Sequence, residues 1–325
     1  MKKVKIEGNI DSLMSEVSQQ VITKIDTLQE FYEQISEDIK QTHIQFIAEA
    51  GTGKTSSLRT ILQYCKDKNK DIVFKIFDIS VAWWHKAPCQ HRQEVTPQNL
   101  ATIPNLEDCV YDIGLLDEIQ QRYFVARIVQ EDYLNRYFIE KNHPERLKKM
   151  PNIVYIFEEC NIYFDSSSIN RKDMPGDIFT KFLSVGRNFK LRGFLVATAE
   201  IGEVSTRIRR RSRKIYGKLI SDSDLAGVKR KDKTWVEKLE NMPKYNFVYN
   251  VGRKFYGPFR IPDSVTHVPV DFVVKFNPHD VVPMVVEPEK VSKLKWFLIG
   301  IGSVIGFVIM IVVMFIYAGS QANIF

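Results

Sequence analysis

Apolar residues follow two different periods along this chain, and together they predict alternating helices and strands. Residues 10–41 and 115–142 carry apolar positions at helical spacing. Continuous apolar runs, typical of strands buried on both faces of a parallel sheet, occupy 43–48, 72–77, 153–158 and 193–198. Because helical patterns separate these runs, the sequence predicts an α/β fold with a mainly parallel sheet flanked by helices.

The same pattern divides the chain into five segments. An N-terminal helical segment precedes the α/β domain, whose last feature is a predicted hairpin at 245–256. Prolines then interrupt any long helix, which predicts an extended linker. The predicted boundaries are 1–42 for the helical segment, 43–261 for the α/β domain, 262–292 for the linker, 293–318 for an apolar helix and 319–325 for a short tail.

The C-terminal apolar segment predicts a single transmembrane helix. No charged residue occurs between Trp296 and Ala318, and about 20 apolar residues suffice to cross a bilayer. Lys290, Lys293 and Lys295 flank its N-terminal side. Because positive residues stay on the cytoplasmic side, we expect a single-pass membrane protein with its large N-terminal domain in the cytoplasm, in a host-cell or virion membrane.

Composition adds a basic charge and an absence of disulfide signals. The 325 residues carry a formal net charge of +7, and every charged residue lies at or before Lys295. The excess therefore belongs to the part outside the membrane, which favours a polyanionic partner or an anionic membrane surface. Four cysteines without framework spacing indicate reduced thiols, and the irregular spacing of His85, Cys89, His91 and Cys109 does not match a standard zinc site.

The first apolar run leads into a small-residue loop with the spacing of a Walker A motif. In such a loop, successive backbone N–H groups and the following helix N-terminus hold phosphate. Lys54 is expected to reach the β- and γ-phosphates and Thr55 to ligate Mg²⁺. Ala48 stands where a glycine is usual, a replacement without strain only at negative φ. The predicted ATP-binding residues are Ala48, Glu49, Ala50, Gly51, Thr52, Gly53, Lys54, Thr55 and Ser56.

Two glutamates follow the apolar run at 153–158 and predict a Walker B motif. Carboxyl ends of parallel strands are where open α/β sheets bind ligands. Glu158 occupies the position where aspartate is commoner, and its carboxylate is expected to hold Mg²⁺ through water. Glu159 is expected to orient or deprotonate the attacking water. With Lys54, these residues make ATP and Mg²⁺ the predicted cofactors.

The segment 184–209 resembles the FtsK–HerA superfamily of ring-forming DNA-translocating ATPases, which includes viral genome-packaging ATPases. The resemblance lies in an arginine-containing helix after the second acidic motif and in the turn Val204-Ser205-Thr206-Arg207-Ile208-Arg209. It covers residues 43–260. It implies a homo-oligomeric ring in which Arg187 reaches a neighbouring subunit's γ-phosphate. Ala199 replaces the family's polar sensor glutamine, so γ-phosphate sensing falls to Glu200, to Thr198 or to neither.

A strongly basic run follows this turn. Six of the eight residues from Arg207 to Lys214 are cationic, and they can line a DNA channel, lie on anionic lipid headgroups, or form a solvated face. The predicted nucleic-acid contacts are Arg207, Arg209, Arg210, Arg211, Arg213 and Lys214.

The sequence therefore predicts a membrane-anchored ATPase that couples ATP hydrolysis to translocation or packaging of DNA, as in virus assembly. Double-stranded DNA or another nucleic acid, a lipid membrane and further copies of the chain are the expected partners. One alternative is an assembly ATPase similar to the zonula occludens toxin-like group. In that group the loop lies nearer the start and a larger domain follows the helix. Another is a membrane scaffold that binds ATP with little turnover.

Overall fold

Nine strands form one sheet in the part of the chain that the structure describes. The computed structural model describes residues 25–164, 170–199, 209 and 212–262, all within the first of two compact units, Met1–Val274. The strands are β1 (Ile44–Ile47), β2 (Ile72–Asp78), β3 (His91–Glu94), β4 (Cys109–Asp112), β5 (Asn152–Phe157), β6 (Leu191–Ala197), β7 (Arg213–Tyr216), β8 (Asn246–Val251) and β9 (Lys254–Arg260).

The strand order is β3-β4-β2-β5-β6-β1-β7-β8-β9. Every pairing from β3 through β7 is parallel, and β8 and β9 add an antiparallel hairpin at the edge. The parallel strands place all their carboxyl ends at one edge of the sheet. This confirms the predicted α/β fold with a mainly parallel sheet.

Helices connect the strands and cover both faces of the sheet. They are α1 (Leu28–Gln41), α2 (Lys54–Lys68), α3 (Glu118–Asn142), α4 (Pro144–Lys149), α5 (Asn161–Phe164), α6 (Met174–Val185), α7 (Asp222–Lys229) and α8 (Val236–Glu240). Short 3₁₀ turns occupy Gly186–Phe189 and Lys233–Trp235. Helices α1 and α2 contribute to the core on one face, and α3, α5 and α6 contribute to the core on the other.

Helix α1 shows how local sequence fixes an element. Thr27 and Glu30 form a reciprocal capping box that satisfies free N–H groups in the first turn. Phe31, Ile35 and Ile39 then repeat every four residues and are almost fully buried. The helix therefore buries one apolar stripe against the sheet, as the spacing predicted.

Some elements differ from the sequence-based expectation. The tract 83–108 shows no regular apolar period and was not among the predicted strands, yet it contributes the short strand β3. Strand β7 and helices α7 and α8 were not predicted, because their apolar residues are too few for a clear period. The helix expected after the second acidic motif, α6, ends at Val185, and the chain continues through Arg187 as a 3₁₀ turn.

None of the helices in the described part of the chain combines the length and apolarity that a bilayer crossing requires. The predicted span at 293–318, most of the linker at 262–292 and the tail at 319–325 lie outside the described residues, so these remain predictions.

Candidate nucleotide site

The loop between β1 and α2 has the geometry of a phosphate cradle. Gly51 and Gly53 adopt positive φ angles of 75° and 93°, which side chains rarely tolerate. Within the described residues, the backbone N–H groups of Gly51, Thr52 and Gly53 have no protein acceptor. Helix α2 begins at Lys54, so its N-terminus adds positive potential to the same loop. The loop can therefore bind an anion through its backbone.

Lys54 folds back across this loop. Its ammonium group donates to the carbonyl oxygens of Ala48 and Glu49, the latter at 3.1 Å. Thr52 braces the loop by donating from Oγ1 to the same Glu49 carbonyl at 2.7 Å. A bound triphosphate would offer the lysine stronger, charged acceptors in place of these carbonyls.

The unusual Ala48 is accommodated by a neighbouring glycine. Ala48 is fully buried, and its φ is not positive, so the condition for replacing glycine without strain is met. A Cβ added to Gly217 would lie 2.7 Å from the Ala48 Cβ. The absence of a side chain at Gly217 therefore makes room for the Ala48 methyl group.

The Walker B strand brings its glutamate to the Walker A threonine. Thr55 Oγ1 donates to Glu158 Oε1 at 3.1 Å, although 103 residues separate them in sequence. Ser80, after β2, donates to the second oxygen, Glu158 Oε2, at 3.2 Å. Glu159 is exposed beside this cluster. Hydroxyl and carboxylate oxygens are the donors that Mg²⁺ prefers.

The electrostatics of the cluster also fit a divalent cation. Burial raises the pKa of Glu158, and the nearby Asp78 carboxylate raises it further. Asp78 is itself buried, and its pKa is raised by burial and by Asp112. The negative charges of Glu158 and Asp78 thus repel each other at the carboxyl edge of the sheet. A Mg²⁺ ion held by Thr55 and Glu158 would relieve this repulsion.

The loop after β2 was not recognised from sequence, yet it forms one wall of the site. Asp78 accepts hydrogen bonds from the backbone N–H groups of Ser80, Ala82 and Trp83 at 3.1, 3.2 and 2.8 Å. Trp83 is fully buried. The indole N–H of Trp83 acts to lower the pKa of Glu158. The indole nitrogen nevertheless makes no hydrogen bond to a described residue. The sequence feature that could have identified this wall is Asp78, an aspartate at the end of the buried strand β2.

Arg187 lies far from its own phosphate loop. It sits in the 3₁₀ turn before β6, at the amino edge of the sheet, whereas the loop follows the carboxyl end of the parallel strand β1. The seven residues of β6 span about 20 Å. Arg187 therefore cannot act on the nucleotide of its own chain, and its predicted role requires a neighbouring subunit.

Other cationic groups share this amino edge. Arg192 is 6% exposed, and the one hydrogen bond that its guanidinium makes to a described residue goes to the adjacent Leu191 carbonyl at 3.0 Å. Burial, together with Arg187 and Arg136, lowers the pKa of Arg192 to about 10. His43 is buried as well, and burial together with the charges of Arg192 and Arg187 lowers its pKa to about 3, so it is neutral.

The described part of the basic run does not form a uniform exposed patch. Arg213 lies 3.7 Å from the carboxylate of Asp38, and Lys214 is only 6% exposed within β7. Arg209 is half-buried. Of the predicted nucleic-acid contacts, Arg207, Arg210 and Arg211 lie outside the described residues, as do the family-specific residues Glu200 and Val204–Ile208.

The cysteines and histidines give no further site. All four cysteines are free and buried. Burial raises the pKa of Cys65 and of Cys109 to about 12, so these thiols stay protonated. In the described ranges, no group of three or more His, Cys, Asp or Glu side chains is placed to hold a metal ion.

This chain is similar to known proteins in structure but not in sequence. No protein-family model matches the chain, and no curated protein matches it in sequence. The genome packaging NTPase B204 from Sulfolobus turreted icosahedral virus 2, solved with ATP-gammaS, is 12% identical with a TM-score of 0.48. That match covers 69% of this chain and 99% of B204.

Two further matches come from bacteria. VirB4 of Thermoanaerobacter pseudethanolicus is 10% identical with a TM-score of 0.46, over 66% of this chain and 87% of VirB4. ATPases 2 and 3 of EssC from Geobacillus thermodenitrificans are 13% identical with a TM-score of 0.45, over 70% of this chain and 40% of EssC.

B204 is an NTPase and the EssC segments are ATPases, the enzyme class that the sequence predicts for this chain. Since the TM-scores lie below 0.5, the P-loop fold of this chain is established by its own features. These are the parallel strand order, the positive φ angles of the loop glycines, and the contact of Thr55 with Glu158.

Proposed function

We propose that this protein is a membrane-anchored, Mg²⁺-dependent ATPase that couples ATP hydrolysis to translocation or packaging of DNA. The observation that carries the ATPase part is the hydrogen bond between Thr55 and Glu158, which joins the two nucleotide motifs in one site. Lys54 and the loop N–H groups would hold the β- and γ-phosphates, and Thr55 with Glu158 would hold Mg²⁺. Glu159, exposed beside them, would orient the attacking water.

The cationic amino edge supports the DNA part of the proposal. Arg187 is exposed there, and Arg192 has no carboxylate partner within the described residues. The net charge of +7 also favours binding to DNA, because the negative phosphate backbone attracts basic proteins. The predicted basic run at 207–214 enters β7 at the same edge, where the Arg213 N–H donates to the His43 carbonyl at 3.1 Å.

The membrane and ring parts rest on different observations. The apolar stretch between Trp296 and Ala318 supports a single anchor, with the ATPase domain in the cytoplasm. The distance of Arg187 from its own loop supports a ring, because this arginine can meet a γ-phosphate only across a subunit boundary. A role in viral genome packaging or virion assembly would account for both a DNA motor and a membrane anchor in one chain.

A scaffold that binds ATP with little turnover is the second candidate. It is favoured by Ala199, which stands at the end of β6 with only a methyl group where the family has a sensor glutamine. Both candidates need the same phosphate loop, but only the motor needs efficient hydrolysis.

An ATPase assay on the full chain in detergent micelles, with and without double-stranded DNA, separates these candidates. A motor hydrolyses ATP faster with DNA present, and both Lys54→Ala and Glu159→Gln reduce this rate by at least about a hundredfold. Weakening of DNA binding with rising salt is the accompanying control for phosphate contacts. A chain that binds Mg-ATP but turns it over no faster than Glu159→Gln would be a scaffold.

A further inference from the structure

A cavity beside the phosphate loop has no role in the description above. It has a volume of about 510 Å³ and is lined by Leu28, Tyr245, Arg260, Ile261 and Pro262. This size falls within the range of small-molecule sites, about 300–1,000 Å³. Its walls come from the start of α1, the residue before β8 and the end of β9.

Tyr245 joins this cavity directly to the loop. Its backbone N–H donates to the Thr52 carbonyl at 3.0 Å. A Cβ added to Gly53 would lie 2.4 Å from two carbons of the Tyr245 ring, so the ring rests against the loop backbone. The wall of the cavity nearest the loop is therefore in contact with the residue that precedes α2.

The cavity also touches the helix that follows the loop. Thr60, in the second turn of α2, donates from Oγ1 to the Pro262 carbonyl at 3.1 Å. A nucleotide whose phosphates lie at the start of α2 must direct its nucleoside away from the loop. The cavity offers an apolar space in contact with both the loop, through Tyr245, and the helix, through Pro262.

We propose that this cavity binds the base and ribose of the nucleotide and discriminates weakly between purine bases. This inference rests on the proposed ATPase function. Three lining residues already use backbone groups elsewhere: the Tyr245 N–H, the Ile261 N–H that donates to the Tyr245 carbonyl, and the Pro262 carbonyl. Weak discrimination follows because few groups remain to read the hydrogen-bonding edge of a base.

The side chains point to the same conclusion. Leu28, Ile261 and Pro262 carry no polar side-chain atom, and the exposed Arg260 offers only donors. Among the five lining residues, only Tyr245 has a side-chain group, its hydroxyl, that can both donate and accept. Base recognition by apolar and aromatic contact tolerates many bases, because every base has a π-face. The cavity is thus suited to hold a purine through apolar contact rather than through hydrogen bonds to the donors and acceptors of the base.

Binding of two Mg²⁺ complexes, ATP and inorganic tripolyphosphate, to the full chain tests this proposal. Leu28→Trp places an indole in the cavity, and we expect it to weaken Mg-ATP binding by at least about tenfold. Mg-tripolyphosphate, which has no nucleoside, should bind equally well to this variant and to the original chain. Leu134→Trp, at an exposed position on α3, is the matched control and should change neither affinity. We also expect the affinities for ATP and GTP to differ by less than about tenfold.

Two results would overturn the assignment. One is an unchanged ATP affinity in Leu28→Trp, as expected if another segment of the chain fills the cavity. The other is an equal loss of ATP and tripolyphosphate binding, which would mean that the cavity acts only through the loop. If Leu28→Trp does not fold, Leu28→Ala, which removes the same wall, must also weaken ATP alone. Failure of the original chain to bind tripolyphosphate, or indifference to Lys54→Ala, would instead refute the nucleotide site itself.

Discussion

Replacing Glu158 by glutamine should stabilise the nucleotide-free protein while it abolishes turnover. The change keeps the shape of the side chain and an oxygen that can accept from Thr55 or Ser80. It removes a partly buried negative charge from the neighbourhood of Asp78, whose own charge is held by three backbone N–H groups. The protein therefore loses a source of repulsion in the absence of Mg²⁺.

The size of this effect follows from the separation of the two carboxylates. Ser80 Oγ lies 3.2 Å from Glu158 Oε2 and 3.5 Å from Asp78 Oδ1, so these oxygens are within about 7 Å of each other. At about 7 Å, two unit charges repel by about 0.6 kcal/mol in water and by about 2.4 kcal/mol at an effective dielectric constant of about 20. After allowance for a weaker hydrogen bond, we expect a net gain of about 1 kcal/mol.

The pH dependence gives this prediction its sign. Because the raised pKa lets the folded protein hold the Glu158 proton more tightly than the unfolded chain does, this group favours folding at low pH. That contribution is fully present below the ordinary carboxyl pKa of 4.5 and is lost as the pH rises through the raised value. Glu158→Gln should thus gain stability over the original chain at neutral pH, and the gain should shrink as the solution is acidified.

Thermal or urea unfolding without nucleotide or Mg²⁺ measures this difference. A gain of about 1 kcal/mol corresponds to a rise of about 2–4 °C in Tm for a domain of this size. Glu159→Gln is the matched control, since that side chain is exposed and should leave stability unchanged. A Glu158→Gln protein that is less stable than the original chain, or no different from Glu159→Gln, would refute the proposed repulsion.

Two further predictions concern the core that supports the site. Gly217→Ala should destabilise the fold by about 1–3 kcal/mol, because the new methyl would meet Ala48 at 2.7 Å and the Phe247 ring at 2.9 Å. Chemical denaturation measures this loss, and a second change, Ala48→Gly, should partly restore the stability. A double variant that is no more stable than Gly217→Ala would contradict the contact. Asp132→Ala should cost about 3–5 kcal/mol, because it removes the carboxylate that lies 2.6 Å from the buried Lys75 ammonium and leaves only the neutral Asn105 amide, among the described residues, as its acceptor. A loss below about 1 kcal/mol in the same denaturation measurement would contradict this account.

The sequence predicted those parts of the site that depend on neighbours in the chain. The loop from Ala48 to Ser56 is contiguous, and its glycines and lysine identify it at any position in a fold. Glu158 was recognisable because a buried strand ends immediately before it. Both motifs lie where parallel strands must place them, at one edge of the sheet.

The contributions of Ser80, Trp83 and Tyr245 could not be predicted in this way. Each reaches the site through a turn whose direction depends on tertiary contacts, and none belongs to a spaced motif. Trp83 lay in a proline-rich tract that appeared irregular, yet the backbone bonds to Asp78 turn it beneath Glu158. Tyr245 is brought to Gly53 by a hairpin that joins the sheet edge about 190 residues later in the chain.

The contacts of Tyr245 and Pro262 connect the edge hairpin to the phosphate loop and to α2. The parallel strands place the phosphate and Mg²⁺ ligands at the carboxyl edge of the sheet. The antiparallel strands β8 and β9 run beside β7, and their ends lie against the loop at Tyr245 and beside α2 at Pro262. In this chain the parallel part of the sheet therefore supplies the charged ligands, and the hairpin, together with Leu28 of α1, supplies an apolar wall beside the loop. Nucleotide affinity should thus depend on both, the phosphates through Lys54 and the nucleoside through the hairpin.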